Sequence, residues 1–219
     1  MTAVPPESPV TEGLLSLEVR WIFPGQLEAG VARWFGRFPA VTETRQDTYL
    51  LNPPLRELSV KIRGSRALEV KVYRGSPGIL QVPGLARGRM ESWQKWSFPC
   101  SPLSPEIPGP AGWRPVRKRR RISLFAPASG QMVARATGLD RQPQCEVELT
   151  TVRAYSRPWW TLGFEATGPV GPLRGTLEAA AALVFAHALP AGVEPGLDES
   201  RSYAQWLGQR PGPDSDADA

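Results

Sequence analysis

Histidine occurs once in this chain, at His187, and cysteine twice, at Cys100 and Cys145. So small a supply excludes histidine-based triads, imidazole zinc sites and zinc fingers. Two thiols could close one disulfide, but in a cytoplasmic chain they read as small buried side chains. No apolar run approaches the roughly 18 residues needed to cross a bilayer. The opening segment, MTAVPPESPVTEG, lacks the basic and apolar regions of a secretory leader. The expectation is a cytoplasmic protein with no membrane partner. Its chemistry falls to carboxylates, Lys, Arg, Tyr or a metal held by oxygen ligands.

What is present is a charged, much-punctuated chain. Of 219 residues, 41% are hydrophobic and 21% charged, enough to fold around a core. Lys and Arg total 26 against 21 acids, a formal charge of +5 that calls for an anionic partner. Proline (24) and glycine (21) break long helices and suit short strands joined by turns.

Period-two alternation recurs along the chain. In 14–23, Leu15, Leu17, Val19 and Trp21 share one face, and Ser16, Glu18 and Arg20 the other. Similar strands are predicted over 45–51, 57–63, 67–74, 90–98, 114–125, 131–137, 145–152 and 160–167. In 90–98 the pattern is less clear, because Trp93 and Trp96 fall on opposite faces. Helices are predicted over 26–38, 173–189 and 200–207, and the Gly/Pro-rich stretch 75–87 reads as an ordinary connection. Few helices among eight or nine alternating strands indicate an antiparallel barrel or sandwich.

The charged faces carry like pairs two residues apart: Lys61 with Arg63, Lys118 with Arg120, Glu146 with Glu148. Such neighbours lie about 7 Å apart on one strand face and repel unless opposite charge lies between them. One reading is that each charged face is the solvated side of a half-buried sheet. The other turns the charges into a lumen that holds a polyanion and divalent metal, the components of phosphoryl transfer.

In order along the chain stand Ser16-Leu-Glu18-Val-Arg20, Gln46-Asp47-Thr48-Tyr49, Lys61-Ile-Arg63, Leu68-Glu69-Val-Lys71, Lys118-Arg-Arg120, Glu146-Val-Glu148, Leu162-Gly-Phe-Glu165-Ala-Thr and Ser202-Tyr203-Ala-Gln-Trp-Leu207. This series resembles the CYTH, or triphosphate tunnel metalloenzyme, superfamily. The resemblance implies a mainly β (α+β) fold: a closed eight-stranded antiparallel barrel, or tunnel, with a few flanking helices. It implies a flexible tail over 1–13, a tunnel domain over 14–207 and a disordered acidic tail over 208–219. It also implies a divalent-metal-dependent phosphohydrolase acting on tripolyphosphate, thiamine triphosphate or a nucleoside triphosphate. By position, Arg20, Lys61, Arg63, Lys71, Lys118, Arg120 and Arg135 would bind phosphate. Glu18, Glu146, Glu148 and Glu165, with Glu69 as a further candidate, would hold Mg²⁺ or Mn²⁺. Glu18, Arg20, Glu146 and Glu148 would form the catalytic set.

One motif departs from the family. Where the first strand should read E-x-E-x-K, this chain has Ser16 and Arg20. Serine removes a negative ligand, and arginine stays charged and cannot act as a general base. That change motivates an alternative: a tunnel that binds polyphosphate, nucleotide or another phosphorylated partner without turnover. A third reading, nucleic-acid binding, rests on the run Arg117–Arg121 beside Trp113. Against it, a strand would point Lys118 and Arg120 inward and leave the remaining arginines solvated. His187, Trp159 and Trp160 read as surface or packing residues, and packing is also the simpler role for Tyr49 and Tyr73.

Overall fold

The computed structural model describes residues 13–51, 57–99, 112–128, 131–135, 143–155, 157–168 and 171–209. Along these residues run β1 (Leu14–Pro24), α1 (Ala29–Phe35), β2 (Val41–Leu50), β3 (Leu58–Arg63), β4 (Ala67–Val82), β5 (Ala86–Pro99), β6 (Trp113–Ala128), β7 (Gln131–Arg135), β8 (Gln144–Ala154), β9 (Arg157–Thr167), α2 (Leu173–Phe185) and α3 (Tyr203–Gly208). The strands join antiparallel in the order β2-β3-β4-β5-β1-β9-β8-β6. Pairing of β2 with β6, from Val41 opposite Ile122 to Leu50 opposite Trp113, closes them into an eight-stranded barrel. The short β7 stands outside this ring and pairs with the end of β6. The expected tails, Cys100 and most of the proline-rich segment after Pro99 lie outside the described residues.

The barrel is inverted relative to one packed with aliphatic side chains. Leu17, Val19 and Trp21 of β1, Leu162 and Phe164 of β9, Val147 and Leu149 of β8 and Phe125 of β6 face outward. There they meet Val31, Trp34 and Phe35 of α1 and Leu177, Ala180, Ala181, Val184 and Phe185 of α2. The main core therefore lies between the barrel wall and its helices. Trp21 is fully buried, with Phe164 and Phe185 edge-on to it at 6.0 Å. Burying one such side chain contributes about 1.5–3 kcal/mol, so a layer this rich in aromatics holds the helices firmly. The alternate residues of the same strands, which carry the charges, point into the lumen.

The stretch 75–87 is not an ordinary connection, contrary to expectation. It continues β4 and β5 into a hairpin arm that turns at residues 83–85. Gly75 and Gly78, with φ near +120°, sit at two register shifts, a backbone conformation other residues adopt only with strain. The bent arm lies across the outer face of β1, where Leu80, Ala86 and Met90 are buried in the main core. Trp21 Nε1 donates to the Arg87 carbonyl at 2.9 Å.

Two helices are shorter at boundaries set by local bonds. α2 ends at Phe185, not at 189, and the carbonyl of His187 instead accepts a bond from Trp34 Nε1 at 2.8 Å. α3 begins at Tyr203 behind a capping box of Ser202 and Gln205. Ser200 and Arg201 remain extended because they bond to β1, as an isolated bridge from Ser200 to Trp21 and from Arg201 N to Arg20 O at 3.0 Å. Likewise α1 spans 29–35 rather than 26–38, since Gly25 turns the chain with φ +90° and Glu28 is still extended.

α3 closes one end of the barrel. Ile22, Tyr49, Val116, Val152 and Ala154 form an inward layer against Trp206 and Leu207. No helix among the described residues is long and apolar enough to cross a membrane.

The arm's fit can be measured. A Cβ at Gly88 would fall 2.5 Å from Val19 Cγ1 and 2.7 Å from Trp21 Cζ2. Gly88→Ala is expected to lower stability by about 1–3 kcal/mol, read as a lower denaturant midpoint, whereas Gly84→Ala at the open turn disturbs no packing and loses only what its positive φ costs.

Candidate anion-binding site

The lumen has a cavity of ≈ 120 Å³, and its wall carries ten basic and six acidic side chains. Strand register gathers most carboxylates on one side of the barrel and most bases on the other, with Arg20 and Lys95 among the former and Glu43, Asp47 and Glu69 among the latter. On β5, β1, β9 and β8, four carboxylates stand abreast: Glu91 opposite Glu18, Glu18 opposite Glu165, and Glu165 opposite Glu146. Adjacent strands are about 4.8 Å apart, so this is a continuous acidic band. On the facing side, Arg45 of β2, Lys61 and Arg63 of β3, Lys71 of β4 and Lys118 and Arg120 of β6 project inward.

Basic side chains pair with acids on other strands of the wall. Lys71 Nζ lies 2.5 Å from Glu18 and 3.3 Å from Glu165. Arg120 bonds Glu43 (2.8 Å), Glu146 (2.5 Å) and, through Nε, Glu148 (2.7 Å). Burial favours the neutral acid, but the guanidinium groups of Arg120 and Arg20 hold the Glu148 carboxyl well below the usual range. A second knot surrounds Asp47, fully buried, with Arg45 Nε at 3.0 Å, Lys118 Nζ at 3.3 Å and Lys61 Nζ at 3.5 Å. Burial is outweighed there by Lys61, Lys118 and Arg45, which bring Asp47 to about 2. Glu69, between Lys61 and Arg63 at 3.0 Å each, is likewise brought to about 2 against the effect of burial.

Arg20 has a seat built for it. Its register partner on β9 is Gly163, and Glu148 lies on β8 opposite the same glycine. With no side chain between them, the guanidinium lies across β9 and pairs with Glu148, while also donating to Thr161 Oγ1 at 3.2 Å. A Cβ at 163 would fall 2.7–2.9 Å from its terminal atoms. The Tyr203 ring closes over Arg20, 4.8 Å from centroid to Cζ.

Tyr203 is also part of the lumen floor, with Arg201, Ser202 and Ala204. Lys118 Nζ lies 3.8 Å above the Tyr203 ring and donates to Tyr49 Oη at 2.6 Å. Burial lowers the Lys118 pKa well below normal, although Asp47 opposes the shift. At the other end, Glu43, Arg45, Arg63, the turn Gly64–Ala67, Glu69 and Ser97 form an open groove of ≈ 660 Å³. Arg45, Arg63 and Glu69 line both spaces, so this groove is the mouth of the lumen.

The structure brings together Glu18, Arg20, Lys61, Arg63, Glu69, Lys71, Lys118, Arg120, Glu146, Glu148 and Glu165 in one lumen. Arg135 is not among the lining residues; it stands on β7, opposite Leu124 and outside the ring. The run Arg117–Arg121 divides by strand parity, with Lys118 and Arg120 buried and Arg117 and Arg119 exposed. Sequence reasoning missed Asp47, Arg45, Glu43, Glu91, Lys95 and Tyr203. Glu43, Arg45 and Asp47 alternate as cleanly as the residues that were selected. Glu91 and Lys95 were obscured because Trp93, apolar by type, shares their inward face.

The residues present do not fit a divalent cation. The expected ligands Glu18, Glu146, Glu148 and Glu165 each have an internal ammonium or guanidinium partner. At Ser16, where the expected motif would put a second carboxylate on the first strand, the hydroxyl instead donates to Glu18 at 2.9 Å. Among the described residues, no three Asp, Glu, His or Cys side chains converge as a metal site.

No family model matches the chain, and no curated protein matches it. Among solved structures, it is similar to Schizosaccharomyces pombe Pct1 RNA triphosphatase, at 12% identity over 79% of this chain and 77% of that one, with a TM-score of 0.39. The same enzyme in complex with the Spt5 CTD gives 12% identity, 79% and 78% coverage and a TM-score of 0.39. The S. pombe Mediator head module gives 9% identity, 78% and 92% coverage and 0.38. At these identities and TM-scores the likenesses carry no activity to this chain.

Glu91 gives the site a pH dependence. It is 7% exposed and accepts one bond, from Trp93 Nε1 at 3.1 Å, while Glu18 stands opposite. Burial, reinforced by Glu18, pushes its pKa up to about 7 from 4.5. The folded chain then holds a proton that the unfolded chain has released, so this group's contribution to stability falls as pH rises from about 4.5 to about 7. Glu91→Gln is expected to flatten that fall and to be the more stable protein at pH 8, by on the order of 2 kcal/mol. Denaturant titrations at pH 5 and pH 8 check both.

Proposed function

We propose that the barrel binds a phosphate-rich anion such as tripolyphosphate or a nucleoside triphosphate in its lumen, without a metal and without turnover. The observation that carries this reading is the Arg20 seat: a permanently charged guanidinium held across Gly163 against Glu148. Glycine at 163 leaves the space in which this guanidinium lies among the carboxylates; a Cβ there would displace it. The basic excess of the lining supports the same reading, because phosphate oxygens can replace carboxylates as partners of Arg45, Arg63, Lys71 and Arg120. Arginine's planar donors suit that exchange.

Metal-dependent hydrolysis is a second reading, favoured by the four carboxylates standing abreast. It requires Lys71 and Arg120 to leave those acids. Calorimetry with tripolyphosphate in EDTA, beside phosphate release in Mg²⁺ or Mn²⁺, separates the two. Binding that persists in EDTA, no release with either metal, and a 10–100-fold weaker affinity in Arg20→Gln are expected, the loss of one charge-assisted bond. Release that depends on metal and disappears in Glu146→Gln would overturn the proposal in favour of the second reading.

A further inference from the structure

The outer face of the barrel carries a second set of positive charge that the lumen does not use. On β6, Arg117 and Arg119 are exposed, and Arg121 is half-buried. Arg153 of β8 is exposed directly opposite Arg117. Two like charges in register repel, and among the described residues no carboxylate is their register neighbour on β2 or β8. Their outward neighbours are Thr42, Thr44, Gln46 and Thr48 on β2 and Thr151 on β8. Arg117 Nε donates to Gln46 at 3.3 Å, and the ion pairs among the described residues include none of Arg117, Arg119, Arg121 or Arg153. Arg121 extends the row to α1, where it donates to the Ala32 carbonyl at 2.8 Å and lies over the Phe35 ring. Exposed Arg33 and Arg37 stand in the same helix and the turn after it.

We propose that this arginine row on β6 and β8 is a docking surface for the phosphate backbone of single-stranded nucleic acid, independent of the lumen. Charge complementarity selects the occupant. Arginines two residues apart on a strand repeat at about 7 Å, and the hydroxyl and amide side chains between them add hydrogen bonds to phosphate and sugar. A membrane surface is disfavoured because neither β6 nor β8 presents an exposed large apolar side chain to insert beside the charges. With no exposed aromatic on these strands to stack bases, the surface binds without sequence preference.

The test uses a fluorescent 5′-hydroxyl single-stranded RNA 20-mer, which has no terminal phosphates for the lumen to hold. Fluorescence anisotropy of the full chain is measured from 50 to 300 mM salt. Wild type is expected to bind, with log K falling linearly in log salt. The variant Arg117→Gln/Arg119→Gln/Arg153→Gln is expected to bind about 100-fold more weakly at 0.1 M salt, with the slope reduced by about 2. All three positions are exposed, so its thermal midpoint should stay close to that of wild type, and its calorimetric affinity for tripolyphosphate should not change. Arg20→Gln should bind tripolyphosphate 10–100-fold more weakly and keep its affinity for RNA. Absence of RNA binding at 50 mM salt, an unchanged slope in the triple variant, or equal capture by vesicles with anionic headgroups would overturn the proposal. Loss of tripolyphosphate binding in the wild type would instead count against the lumen reading alone.

Discussion

A barrel that turns its charged face inward has to neutralise most of the charge it buries. An ion brought out of water loses several kcal/mol of hydration, and only a close partner of opposite sign restores it. The register meets that requirement geometrically. Most acids stand on β5, β1, β9 and β8 and most bases on β6, β2, β3 and β4, and Lys71 reaches Glu18 and Glu165 while Arg120 pairs with Glu146 and Glu148 on the neighbouring strand. The apolar half of each strand is then free to bind α1, α2 and the β4–β5 arm outside. One period-two alternation, with its polarity reversed, thus determines both where the core lies and what the cavity can hold.

The same balance bears on binding. An anion entering this lumen exchanges one set of partners for the basic groups with another, instead of creating contacts where none existed. Affinity depends on the difference between phosphate and carboxylate as partners, aided by a lining with more bases than acids. Arg20 differs from the other basic groups because its seat is set by backbone composition. Gly163 leaves the space, Thr161 and Glu148 orient the guanidinium, and Tyr203 covers it. The outer row Arg117, Arg119 and Arg153 is exposed and, among the described residues, forms no ion pair with a carboxylate, so its charge faces solvent.

Much of this was legible in the sequence. Alternation located the ring strands, and parity alone divided Arg117–Arg121 into buried and exposed members. The order of short charged motifs then selected a closed barrel over a sandwich, and eleven of the residues it named line one lumen. Three things were not legible. The arm over 75–87 contains enough Gly and Pro to read as a loop, but those residues bend a strand pair without ending it. Arg135 resembled a lining residue because a short alternating segment does not reveal whether it joins the ring or stands beside it. Asp47 and Glu91 lacked a like-charged neighbour two positions away, so a search for pairs passed over two of the most deeply buried acids.

The floor made by α3 has a consequence for the shape of any polymeric guest. Trp206 and Leu207 close one end against Ile22, Val116 and Val152, and the segment 201–204 lies over them as the base of the cavity. Among the described residues, that end is covered and the other opens on the groove between Glu43 and Ser97. A linear chain that entered by this groove would reach Arg20 with its terminus first. A guest held this way would be gripped at its end rather than along its middle, so a linear polyanion with a free end is the form such a lumen favours.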